Sequence, residues 1–272
     1  MLLPGIGFIT VFLAAALGMT VLQSFGYYNL TGESGFSLRF WQEVFSRQVF
    51  DAFVYSLWIG IASAFGTLLL SYPLALYLRR RSAWTRFMNT LIRVPLFMPA
   101  LVAAFILVNL MDYNGLINGL LTRAGILEQP VRMLRNEWGL IVILIQIWKN
   151  VPFQLLIIAS VVQTIRSDIE EAAYNLGASK FAVFRHVLLP LSMPGILIAV
   201  ALVFIGAFGD FAINSVAGPI YPPSLAVLMV SRANMLQEWN FAAGVGVIIM
   251  VVSILFVFLY TKMAAAIQDA KT

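Results

Sequence analysis

Six long stretches of the chain are continuously apolar, and most polar residues collect between them. The stretches run approximately Gly5–Gly26, Ala52–Leu78, Thr90–Met111, Trp138–Ile165, Pro194–Asn214 and Phe241–Ala264. Each is long enough for a spanning helix, which needs about 20 mostly apolar residues. A membrane β-barrel would alternate apolar and polar positions over short segments, so the unbroken pattern predicts helices. The fold class is therefore all-α: a polytopic membrane bundle of six transmembrane helices. No Lys or Arg precedes the first stretch, as a signal peptide would require, and that span is read as retained. The chain divides into residues 1–51, the first span with its outer loop, and a core of spans two to six over 52–272. The core includes a long polar loop at 166–193.

Composition narrows the class. Of the residues, 61% are hydrophobic and 11% charged, with a mean hydropathy of +0.91, against about 25% charged in soluble domains. This excludes a soluble enzyme, a secreted module and a nucleic-acid-binding domain. Cysteine is absent and His186 is the lone histidine, which leaves no ligand set for a thiolate or histidine metal centre. No Gly-x-x-x-x-Gly-Lys-Ser/Thr loop occurs, so no P-loop for ATP is expected in this chain.

Charge orients the spans. One set of loops holds Arg79, Arg80, Arg81, Arg86, Arg93, Arg166, Lys180, Arg185, Lys262 and Lys271, ten cations against four acids, a net of +6. The other holds Arg39, Arg47, Arg123, Arg132, Arg135 and Arg232 against seven acids, a net of −1. The positive-inside bias puts the Arg79–Arg81 side in the cytoplasm, and with six spans both termini follow. The remaining loops, Tyr27–Asp51, Asp112–Glu137 and Ser215–Asn240, face outward and are too short for domains of their own.

The loop between spans four and five is ordered in its pattern. Ser167 and Glu170 have the spacing of a capping box, and Asp168, Glu170 and Glu171 fall in the first turn, where the helix dipole favours acids. Ile169, Ala172, Ala173 and Leu176 make one narrow apolar face. Gly177 ends or bends this helix. Phe181, Phe184 and Leu188 mark a second, which Pro190 and Pro194 close before span five. A surface helix on the inner membrane face has the same amphipathicity.

Glu171-Ala172-Ala173, then Gly177, Val187 and Leu189-Pro190, resemble the "EAA" signature of ABC importer permeases, with Val187 where the family usually has Ile. The resemblance extends over Ala52–Ala264. It implies that residues 167–176 form a coupling helix seated in a groove of a separate ATP-binding subunit. Ala172 and Ala173 would lie at that contact, Glu171 at its polar edge and Gly177 at the turn. It implies two ATP-binding subunits that carry ATP and Mg, a second permease subunit (a related but different chain), and an extracytoplasmic substrate-binding protein. No cofactor belongs to this chain. The setting is a bacterial inner membrane.

Charges inside spans need a reason, and two occur, Lys149 in span four and Asp210 in span five. At 1.5 Å per residue Lys149 lies roughly 16 Å below the outer end of its span and Asp210 roughly 24 Å above the inner end of its own. They either pair with each other or line the substrate path. Trp148 and Asn214 are further path candidates. Phe208 and Phe211 more often pack than line, and Gly206 and Gly209 allow close helix contact. Asn175-Leu176-Gly177-Ala178-Ser179, and Asp210-Phe211 followed by Gly218-Pro219, resemble the polyamine, iron and phosphonate branch more than the sugar branch. A buried carboxylate suits a cation such as a polyamine, and Lys149 suits an anion such as a phosphonate. A stand-alone secondary transporter would show paired broken helices and inverted repeats, which the sequence pattern does not display.

Overall fold

Residues 3–29, 34–79, 82–131 and 133–269 are described in the computed structural model of the chain. Arg80, Arg81, Arg132 and Lys271, used above to orient the spans, lie outside them. The order is α1 (Leu3–Ser24), α2 (Arg39–Val44), α3 (Arg47–Leu78), α4 (Ala83–Ile92), α5 (Ala100–Met111), α6 (Leu116–Arg123) and α7 (Leu140–Val162). There follow α8 (Ser167–Asn175), α9 (Lys180–Val183), α10 (Leu189–Phe208), α11 (Ala212–Ala217), α12 (Leu225–Leu236) and α13 (Trp239–Asp269). No strand forms among the described residues, and six helical segments are long and apolar enough to cross a membrane.

The bundle is built around α3, which packs against α7 and α10. One apolar core joins α3, α7, α10, α12 and α13 around Phe204, Phe208, Phe241 and Leu155. A second lies toward the start of α3 and α7, where Tyr55, Ile59, Ile141 and Val142 meet Ala104 of α5 and Ile213 of α11. Gly60 lets α3 and α10 approach, because a Cβ there would lie 2.8 Å from the Phe204 ring. Gly206 has no such role, since nothing lies within 4 Å of its Cβ direction, and Gly209 meets its neighbours only at ordinary contact distance. The first helix, α1, lies against α13 with most of its side chains exposed.

Three expectations about the spans change. The third is not one helix over Thr90–Met111: Pro95 and Pro99 divide it into α4, a 3₁₀ turn at Val94–Phe97 and α5, because proline lacks the N–H that would continue the ladder. The fifth begins earlier than Pro194. Pro190 sits in the first turn of α10 and Pro194 inside it, and a π turn at Phe184–Leu188 joins α9 to α10 without a stop. The wider turn relieves the clash of the Pro190 ring with the preceding turn, and the Ser192 hydroxyl donates to the Leu188 carbonyl at 2.7 Å. The fifth span ends at Phe208, not Asn214. Finally, the stretch Ser215–Asn240 is not simply a loop, because it contains α12, which packs on α13 and α3.

Candidate functional site

The polar loop after α7 forms an arm that stands off the bundle. Arg166 is extended and Ser167 is already the first helical residue of α8, with no side-chain cap. The expected capping box is therefore absent. Two of the three acids that open α8 have other partners: Asp168 is bidentate with Arg166 at 2.5 and 3.1 Å, and Glu170 forms an ion pair with Arg79 at the end of α3. The same guanidinium donates to the Ile165 carbonyl at 2.8 Å. Arg79 and Glu170 are each 19% exposed at the side chain, so this pair is shielded from solvent more than most surface pairs. It ties the arm to the central helix.

The other end of α8 is closed by Gly177. Its φ of +84° is in the left-handed region that a β-carbon disfavours. The Gly177 N–H donates to the Tyr174 carbonyl at 2.9 Å and that of Ala178 to Ala173 at 3.0 Å, the paired bonds of a Schellman stop. No residue of α8 is buried. Glu171 and Ala172 are exposed, Ala173 is half-buried, and Leu176 is 88% exposed. The seven signature residues separate into two groups. Glu171, Ala172, Ala173 and Gly177 lie on the arm, whereas Val187, Leu189 and Pro190 are half-buried in the helical shaft leading into α10.

Inside the bundle the two charged residues do not form an ion pair with each other. Each serves a helix break. The Lys149 ammonium donates to the Met98 carbonyl at 3.3 Å, at the junction where Pro99 interrupts the third span. The Asp210 carboxylate accepts from the Ile213 and Asn214 amides at 2.9 and 3.2 Å, which caps α11 just after the fifth span ends, with Gly209 as its C-cap. A cation on a freed carbonyl and a carboxylate on freed N–H groups are the matching solutions for backbone that has left its helix in an apolar medium. Asn214 is 4% exposed. It donates to the Asp210 carbonyl at 3.0 Å and accepts from the Tyr55 hydroxyl at 3.4 Å, so it belongs to the same knot. Trp148 does not join them. It continues the outward stripe of Leu140 and Leu144 at helical spacing.

Attention to charge alone missed several polar residues. Ser71 donates to Gln154 across α3 and α7 at 3.0 Å, the Tyr72 and Ser192 hydroxyls meet at 2.9 Å across α3 and α10, and Asn150 donates to Gln146 at 2.9 Å. A Gln or Ser in a continuous apolar run was the available signal. The sequence alone gives Arg79 only a topological role. Among the described residues no cluster of His, Cys, Asp and Glu is suited to a metal ion.

The chain belongs to the family described as binding-protein-dependent transport system inner membrane component, which matches residues 68–269. It is a multi-pass inner-membrane permease component of an ABC importer. It is 28% identical over 204 residues to the spermidine/putrescine transport system permease protein PotB of Haemophilus influenzae, covering 75% of this chain and 70% of that one. The Escherichia coli protein of the same name is 25% identical over 214 residues, with 78% and 77% covered. Among solved structures, a bacterial alginate ABC transporter in complex with an alginate pentasaccharide-bound periplasmic protein has a chain of the same fold, with a TM-score of 0.77, 21% identity and 98% and 93% of the two chains covered. The family also separates this chain from secondary transporters. Broken helices do not, since span three is interrupted here at Pro95 and Pro99.

Proposed function

We propose that α8 docks into an ATP-binding subunit and that this chain carries polyamine across the membrane by alternating access. It would do so paired with a second, related permease and two such subunits, which hold ATP and Mg. The observation that supports the docking role is the arm itself. Glu171 and Ala172 are exposed with no bundle contact to bury them, on a helix stopped by Gly177 and tied to α3 through Arg79. A helix floored by alanine admits a partner backbone closely, and the Arg79 and π-turn connections carry its displacement into α3 and α10. The α8 end then faces the cytoplasm together with both termini, and the opposite end receives solute from an extracytoplasmic binding protein.

The polyamine reading is supported by the PotB relatives and by the residues 175–179 and 210–211. The alternative anionic cargo rested on Lys149, which is engaged by a backbone carbonyl. The test is uptake of labelled spermidine into proteoliposomes holding the co-purified assembly. Uptake that requires both ATP and the ATP-binding subunits is expected. Undiminished uptake without either removes the importer mechanism, and ATP-driven uptake of another solute with none of spermidine removes the cargo.

A further inference from the structure

Aromatic rings and carboxylates from three separate stretches meet at the end of α3 remote from α8. Asp51 is about 42 Å from Arg79 at 1.5 Å per residue. The cleft there has a volume of ≈ 300 Å³, at the lower end of the about 300–1,000 Å³ of small-molecule sites. Phe50, Asp51 and Trp58 come from α3, Glu137 and Trp138 from the approach to α7, and Tyr221 from the turn before α12. The two indoles are edge to face, with centroids 6.3 Å apart and planes at 78°, so they form adjoining walls.

An aromatic belt at a membrane interface directs indole N–H and phenol O–H groups to water and headgroups. Here the Trp58 N–H and the Tyr221 O–H are turned to the protein. Trp58 Nε1 donates to the Trp138 carbonyl at 2.9 Å, and the Tyr221 hydroxyl donates to Asp51 Oδ2 at 2.6 Å. Aromatic rings and the Asp51 and Glu137 carboxylates line the space together with Val54 and Pro222. Arg47 approaches Asp51 Oδ1 at 3.4 Å from the solvent side, with its side chain 89% exposed. Glu137 has no ion-pair partner among the described residues.

Aromatic faces attract ammonium groups through their quadrupole, and carboxylates add a formal charge. We infer that this cleft binds an organic polyammonium ion, one nitrogen against the Trp58–Trp138 corner and another near Asp51 and Glu137, as the first station of the solute on this chain. The inference deepens the polyamine reading and rests on it for the solute's identity.

The test is equilibrium dialysis of labelled spermidine against the assembled importer in lipid nanodiscs, without the binding protein. Trp138→Ala keeps the carbonyl that Trp58 uses, and Asp51→Asn keeps an acceptor for Tyr221. Trp138→Ala and the double change Asp51→Asn with Glu137→Gln are each expected to weaken binding about tenfold, while Trp138→Phe stays within about twofold of the parent. Basal ATP hydrolysis should be unchanged in all three, which reports intact assembly. Equal binding by parent and variants, or no binding by the parent, overturns the site. Polyamine uptake that survives with normal kinetics in such a case leaves the cargo standing. A parent that binds spermidine at this cleft but does not import it removes the cargo and leaves the site.

Discussion

The α8 arm and the two helix breaks each engage charged side chains, and they use that charge in opposite ways. At the breaks, each charge is consumed locally: Lys149 by the Met98 carbonyl, Asp210 by the Ile213 and Asn214 amides. On the arm, Asp168 and Glu170 are engaged by Arg166 and Arg79, while Glu171 and Ala172 remain exposed. A satisfied polar group holds its own fold together, and an exposed group on a rigid, anchored support is available to a partner. Charge within a span has a structural use here, in satisfying backbone that has left its helix.

The largest effect is expected on the arm. Gly177→Val places a β-branched residue at a φ of +84°, which costs about 1–2 kcal/mol or more in the left-handed region and re-aims α8. ATP-driven uptake should fall at least about tenfold, with membrane insertion normal on a protease-protection gel. Retained uptake with normal ATPase association would place the arm among ordinary surface helices.

The two charges at the helix breaks come next and sharpen the contrast. Asp210→Ala removes the acceptor that caps α11 and should lower stability by about 0.5–2 kcal/mol, read as a drop in melting temperature in detergent. Asp210→Asn keeps an acceptor and should stay near the parent in both stability and uptake. A charge acting directly on a cationic solute would reverse this order, with the amide variant folded and inactive. Lys149→Met is expected to cost about 1–3 kcal/mol by leaving the Met98 carbonyl unpaired, with no change in solute preference. Least affected should be Trp148→Leu, on the outward stripe, with uptake within about twofold of the parent.

Much of the architecture was legible because hydrophobic length is a strong signal. Six apolar runs match in number the six helical segments long enough to span a membrane, the third lying at Ala100–Arg123 and not Thr90–Met111. The errors arose where backbone chemistry competes with hydropathy. Thr90–Met111 is apolar throughout, but Pro95 and Pro99 break it. Pro190 and Pro194 resembled a stop, and the π turn at Phe184–Leu188 let the helix continue. Gly177 was readable as a terminator because a glycine after an amphipathic turn has few other uses. The capping box was not realised, because Arg79, 91 residues away from Glu170 in sequence, competes for the acid it would need. Likewise, the capping role of Asp210 depends on a helix break that no periodicity reveals. Long-range partners decide both cases, and spacing along one segment carries no record of them.

The docking of α8 can be examined directly because the chain has no cysteine. Ala173→Cys supplies a unique thiol on the half-buried flank of the arm, to be cross-linked in membranes to single cysteines placed around the groove of the ATP-binding subunit. A cross-link that forms in high yield and changes with ATP, and that abolishes uptake until reduced, is the expected result. Absence of any cross-link from position 173, with ATPase association and uptake intact, would contradict the assignment of α8 as the coupling element.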